Sequence, residues 1–323
     1  MGVEKQYKSS AKMQVPSPLK PGDLLRVIAP SGCLRERERF DLGVEIWRSR
    51  GYRVELSEGY DSAWGYLAGS DRDRRGQLFA AWHDPNCGAI LCARGGYGGA
   101  RLLEEWTWTA PANPDNSPIV STAPVTPKWA IGFSDITSLL WSLCQHGVMG
   151  IHGPLLTTIS DEPEWSINRL FDLVEGREIA PLQGKGWGGD RVTGYLLPAN
   201  LTVGTHLLGT RAQPNLTGAI LAFEDVGEAP YRIDRMLTQW RMMGALEKVR
   251  GIALGRFSQC DNVAKPPSFT VAEVLRDRLS DLGIPIVSDL PFGHDGENAA
   301  LPVGAEAELD GDRGILTVKN PVG

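Results

Sequence analysis

Short apolar runs alternate with stretches of helical spacing along most of this 323-residue chain. Residues 24–29 (LLRVIA), closed by Pro30-Ser31-Gly32, predict a buried strand and a turn. Within 36–50 the apolar positions Phe40, Val44 and Trp47 fall at helical spacing, and Gly51 stops the run. Residues 52–56 read as a strand, 71–83 as a helix, 89–92 (AILC) as a buried strand and 98–106 as a helix. A loop rich in Pro, Ser, Thr and Asn over 109–127 precedes a strand at 129–131 and a strongly apolar helix over 136–145. Further on, 218–223 (GAILAF) and 251–257 (GIALGRF) predict buried strands. The helix between them, 231–243, carries Ile233, Met236, Leu237, Trp240 and Met243 on one stripe. Leu275 and Leu279 mark another helix, 284–288 another strand, and AEAELDGDRGILTVKN predicts two strands about an Asp-Gly turn.

Strand and helix in alternation is the pattern of a parallel sheet covered by helices. The expected fold class is α/β: a parallel-sheet N-terminal domain with helices on both faces, plus a smaller mixed α/β C-terminal domain. The periodic signal weakens between Ser160 and Gly189, where an interdomain connection is expected. The division is then a flexible tail over 1–16, an N-terminal domain over 17–160, the connection over 161–189 and a C-terminal domain over 190–323.

Charge and composition narrow the function classes. With 33 Lys+Arg against 39 Asp+Glu the net charge is −6, which argues against a nucleic-acid partner. No apolar stretch approaches the roughly 18 residues of a membrane span, and the polar start lacks a secretory apolar segment. The five cysteines, Cys33, Cys87, Cys92, Cys144 and Cys260, are odd in number and form no CxxC pair, so they read as reduced thiols. A cytoplasmic location without membrane association is expected. The 38 Gly and 22 Pro predict many tight turns and backbone that approaches something closely.

Four segments could carry chemistry. In KWAIGFSDITSLLWSLC a strand runs straight into a helix with Ser134 at the joint. There a serine hydroxyl stands above the sheet beside the helix N-terminal N–H groups. The bland alternative makes Ser134 or Asp135 an N-cap. In CARGGYGGARLLE the glycines Gly95, Gly96, Gly98 and Gly99 leave backbone N–H groups unshielded, which suits an oxyanion, or simply a tight turn. AFEDVGEAPYRIDR ends a buried strand on Glu224 and Asp225, where α/β proteins place sites, although the segment could be a solvated loop or cap the next helix, as Asp225 and Glu228 would. DLPFGHDGENAALPVG sets His294 in a Gly-rich loop. Together they supply a nucleophile, a base and an orienting acid in the order Ser…Glu…His. His83, His146, His152 and His206 lack metal-ligand spacing. His152 in IHGP reads first as a core or turn residue and could line a site, and Trp187 in GKGWGGD could contact a ligand.

RGGYG at 94–98, GFSDIT at 132–137, FEDVGE at 223–228 and PFGHDGEN at 291–298 together resemble the LD-carboxypeptidases (muramoyltetrapeptide carboxypeptidases). KPGDLLRVIAPSG and NLTVGTHLLGT add to the resemblance, which runs from Pro18 to about Val318. It implies cytoplasmic, homodimeric serine peptidases without metal or cofactor, which remove the terminal D-Ala from murein tetrapeptides. It also implies Ser134 as nucleophile, Glu224 and His294 as its triad partners, and oxyanion donors at Asp135 and at Gly96 or Gly95. Arg94 and Arg232 are candidates for the substrate carboxylate. One departure is Pro198-Ala199 where the family carries Gly-Gly before Asn200. The 109–127 loop is also longer than the family needs. The rival readings are a microcin C-type immunity peptidase cleaving aminoacyl-nucleotide analogues, for which Trp187 would stack the base, and a non-catalytic anion-binding protein.

Overall fold

A computed structural model describes residues 13–108, 126–263 and 266–322. Residues 109–125 of the expected 109–127 loop lie outside the described residues, as do residues 1–12 of the expected tail. Residues 13–16 do not hang free: the Gln14 N–H donates to the Gly147 carbonyl at 2.7 Å, and the Gln14 carbonyl accepts from the Met149 N–H at 3.0 Å.

The N-terminal half lays down β1 (Leu24–Ile28), α1 (Arg37–Ser49), β2 (Arg53–Leu56), α2 (Asp71–His83), β3 (Cys87–Cys92), α3 (Gly99–Leu102), β4 (Trp129–Gly132), α4 (Thr137–Gln145) and β5 (Gly150–His152). These five strands are parallel, in the order β5-β4-β3-β1-β2. Side chains alternate across a strand, so β3 sends Ala89 and Leu91 to one face, where Phe40, Val44 and Trp47 of α1 pack. Ile90 and Cys92 point to the other, against Leu78, Ala81 and Trp82 of α2. Helices thus cover both faces. The start of α2 is fixed by a capping box between Ser70 and Asp73. The helix expected over 98–106 is only one α-turn followed by a 3₁₀ turn at Leu103–Glu105.

The expected connection over 161–189 contains a full helix, α5 (Glu164–Val174), burying Leu170, Phe171, Leu173 and Val174. Two short strands follow, β6 (Leu182–Gln183) and β7 (Lys185–Gly186), then a ten-residue strand β8 (Arg191–Asn200), which the periodicity does not single out. The remainder is α6 (Leu201–Leu207), β9 (Ala219–Val226), α7 (Pro230–Met242), β10 (Gly251–Ser258), α8 (Val271–Leu279), β11 (Ile286–Ser288), β12 (Leu301–Val303), β13 (Glu306–Asp310) and β14 (Ile315–Val318). Strands β8-β9-β10-β11 are parallel, and β13-β14-β6 and β7 flank them in antiparallel fashion. The second domain is therefore mixed α/β. Proline inside a strand removes a ladder donor. Pro198 is tolerated because β13 pairs β8 only over Arg191–Tyr195, so Pro198 faces β9 alone.

Strand β12 leaves the second half and adds to the first sheet, antiparallel to β5, with Leu301 opposite His152. Helix α4, buried along almost its whole length, touches β5 and β12 of one sheet and β8 of the other. Its Trp141 donates Nε1–H to the Pro198 carbonyl at 2.9 Å and meets the Trp240 ring edge-to-face at 6.3 Å. The helix that begins just beyond Ser134 is thus packed from both sides, which holds the two halves in fixed relation.

Candidate active site

Ser134 follows β4 by two residues and has φ +63°, a left-handed conformation that costs a non-glycine residue about 1–2 kcal/mol. The neighbours hold it there. The buried Asp135 carboxylate accepts from the Ser31 hydroxyl at 2.5 Å and the Gly99 N–H at 2.7 Å, tying the turn to the loop after β1 and to the glycine segment. Burial raises the Asp135 carboxyl above the ordinary range, and these two hydrogen bonds act against it. Arg74 lies beneath, fully buried, donating to the carbonyls of Gly98 (2.9 Å), Gly69 (3.3 Å) and Pro30 and paired with Asp71.

The glycine segment reaches the serine. A methyl group on Gly95 would stand 3.1 Å from Ser134 Cβ and 3.2 Å from its Oγ, so a larger residue would crowd the hydroxyl. Gly96 has φ +104° and lies over Gly32. Among the described residues, neither Gly95 nor Gly96 spends its N–H on a protein acceptor. Arg94 folds back beside Gly32 and Gly96 with its Nε 3.1 Å from Glu36.

From the second half, Glu224 and His294 come together: His294 Nδ1 lies 2.6 Å from Glu224 Oε2, and Glu224 is fully buried. Burial pulls the His294 imidazole down, but the charge and hydrogen bond of Glu224 outweigh it, and the net shift is upward. Gly293 makes the approach possible, since at φ +130° its missing side chain would sit 3.2 Å from Glu224 Cβ. The His294 ring packs against Phe133, the residue before Ser134, at 4.6 Å between ring centres. No hydrogen bond links Ser134 Oγ to His294 among the described residues, a looseness common in unliganded catalytic sites.

Asn200 is absent from the candidate residues named by sequence. It stands opposite Glu224 in register, and its side-chain N–H₂ donates to Glu224 at 3.4 Å and Asp225 at 3.2 Å. Its backbone N–H donates to the Thr137 hydroxyl at 3.0 Å, joining α4 to the acidic pair. Asp225, buried and close to Glu224, has its carboxyl pushed up to about 6, first by burial and then by that charge. The NLT triplet was the available signal, because an Asn followed by a helical run reads as an N-cap, and Asn200 does cap α6.

His152, which the sequence offered as a residue that could line a site or sit in the core, takes the core position. It is fully buried at the end of β5, edge-on to Phe133 and Phe292, and neither ring nitrogen has a partner. Burial pushes its imidazole down to about 4. Trp187 does not offer a free ring: Arg276 covers it at 3.8 Å, and its Nε1–H donates to Ser288. Arg232 pairs with Glu228 at 3.3 Å and helps line a cavity of about 820 Å³ with Gly227, Tyr231 and Phe269.

The described residues contain no cluster of three or more His, Cys, Asp or Glu able to hold a metal ion, and no helix long and apolar enough to cross a membrane. The five cysteines are buried and unbridged.

Comparison with known proteins matches the same two halves. Residues 25–153 fit the LD-carboxypeptidase N-terminal domain and residues 193–309 the LD-carboxypeptidase C-terminal domain. A putative carboxypeptidase of Synechocystis sp. is 56% identical over 302 residues, covering 94% of this chain and 96% of the relative. The crystal structure of muramoyltetrapeptide carboxypeptidase from Oxalobacter formigenes superposes with a TM-score of 0.77 at 28% identity, over 91% of this chain and 97% of that one. A microcin C7 self-immunity protein shares the fold, with a TM-score of 0.79 at 20% identity over 96% and 98% of the two chains. With both halves matched in order, and with a relative identical at more than half of the aligned positions, the chain belongs to the LD-carboxypeptidase family.

Proposed function

We propose that the protein is a serine-type carboxypeptidase that removes the terminal D-Ala from murein tetrapeptides, acting in the cytoplasm as a homodimer. The observation that carries this reading is the 2.6 Å contact between His294 Nδ1 and buried Glu224, which leaves Nε2 as the free, basic nitrogen of the ring. His294 takes the Ser134 proton as Oγ attacks the carbonyl before D-Ala, and Glu224 stabilises the imidazolium. The oxyanion is held by the N–H of Asp135 and of Gly96 or Gly95, each donor worth about 3 kcal/mol in the transition state. His294 then protonates the departing amine, and water resolves the acyl-enzyme. Arg94, beside Gly32 and Gly96, supplies the cation for the substrate carboxylate.

The strained φ of Ser134 supports a nucleophile over a plain cap, because an N-cap residue adopts extended backbone rather than a left-handed one. The aminoacyl-nucleotide reading would need Trp187 to stack a base on the face that Arg276 leaves uncovered. The test is incubation with murein tetrapeptide followed by mass spectrometry. Wild type yields tripeptide plus D-Ala and Ser134→Ala does not. Turnover by Ser134→Ala at the wild-type rate would remove the nucleophile assignment.

A further inference from the structure

Two large aromatic side chains stand exposed beside the glycine turn and are used by no step above. Tyr97 is the central residue of that turn, 53% exposed, and Tyr66, 59% exposed, comes from the loop before α2. The rings meet edge-to-face at 5.8 Å, and Trp64, 57% exposed, belongs to the same loop. The two loops are stapled rather than loose. The Gly32 N–H donates to the Gly95 carbonyl at 3.0 Å, the Cys33 N–H to the Tyr66 carbonyl at 3.1 Å, and Trp64 and Leu67 exchange backbone hydrogen bonds. A fixed apolar ledge in water is a recognition surface by default, and tyrosines serve it well because a rigid ring loses little entropy on binding.

Resting on the carboxypeptidase reading, we propose that Tyr66 and Tyr97 form a subsite for the sugar ring of a muramoyl peptide, the group at the far end of the substrate from the scissile bond. Length supports this occupant. Three extended peptide residues span about 10–11 Å, and the lactyl ether that joins them to the sugar ring adds a few ångströms more. Gly95 adjoins Ser134, and the Tyr97 Cα lies at most about 7 Å beyond Gly95, with the phenol extending further. Chemistry supports it too. The C–H face of a saturated sugar ring packs on an aromatic face, while its hydroxyls can meet the phenol oxygens, which both donate and accept.

Steady-state kinetics on murein tetrapeptide with and without its muramoyl group tests the subsite. Wild type is expected to show a KM about five- to tenfold lower for the sugar-bearing substrate. Tyr97→Ala and Tyr66→Ala should each collapse that ratio toward one, and Tyr97→Phe should keep most of it. KM values that rise together for both substrates, or a ratio unchanged in both variants, would overturn the proposal. If wild type cleaves neither substrate, the carboxypeptidase reading fails instead. The subsite is then read by calorimetry on Ser134→Ala, where preference for the muramoyl peptide over the bare peptide, lost on adding Tyr97→Ala, supports it and absence of preference rejects it.

Discussion

Acidification should expose His152. The native state holds this imidazole neutral with its affinity for protons pushed down to about 4, whereas in the unfolded chain it takes a proton near its ordinary value of about 6.5. Between those values the unfolded chain binds more protons, so the contribution is complete above the ordinary value and is lost as pH falls toward 4. Integrating between pH 7 and pH 5 gives a loss of about 2 kcal/mol from this one residue. Other groups act in the same window: His83 is also lowered by burial, and Asp225, raised to about 6, has the opposite sign. The clean measurement is therefore a difference. Unfolding free energies from urea titrations at pH 5, 6 and 7 are compared for wild type and His152→Leu. Because both ring nitrogens lack partners, leucine orphans no hydrogen-bonding group. The variant curve should be flatter by about 2 kcal/mol over that range. Parallel curves would show that His152 is solvated or hydrogen-bonded in the native state and would refute the reasoning.

Two further outcomes follow from the same geometry. Because Glu224 raises the affinity of His294 for protons and the base must be neutral, kcat/KM should reach half its plateau above about pH 6.5. Glu224→Gln should move that limb down and lower kcat by about 10³–10⁴, and an unmoved limb would separate Glu224 from the base. Arg74→Met should cost about 3 kcal/mol in urea unfolding, since it leaves three buried carbonyls without their donor, while Asp71 keeps Arg101. Arg74→Lys should recover only part, as an ammonium cannot reproduce the planar fork, and a wild-type midpoint in either variant would remove the supporting role.

Much of the α/β alternation was legible because its cues are local. Helix α2 spans the residues expected of it, 71–83, bounded by a Ser70–Asp73 box that sequence spacing can display. The terminal Asp-Gly turn likewise joins two paired strands, β13 and β14. Ser134, Glu224 and His294 stood out because each lies in a short segment of unusual composition at the end of a strand. Arg74 was not legible, since DRDRRG reads as a solvated helical face and nothing local announces three carbonyls above it. Asn200 was missed, and the surroundings of His152 were left open, for a related reason. Their importance rests on partners more than twenty residues away, or on the lack of any. Helix α5 carried adequate periodicity in EWSINRLFDLV, but its polar flanks masked it.

The return of β12 to the first sheet couples assembly of the site to the order of synthesis. As the chain emerges, β5 is an open sheet edge, and it stays open until Leu301–Val303 is made, about 150 residues later. Unpaired edges of this kind invite association with other chains. The segment bearing His294 bridges from β11 in one sheet to β12 in the other, so its far end is anchored only when that last edge is filled. A chain ending before β12 would carry Ser134, Glu224 and His294 but lack the far anchor of the loop on which His294 sits. The open edge of the first sheet and the far end of the His294 loop are thus completed together, by a strand synthesised after both.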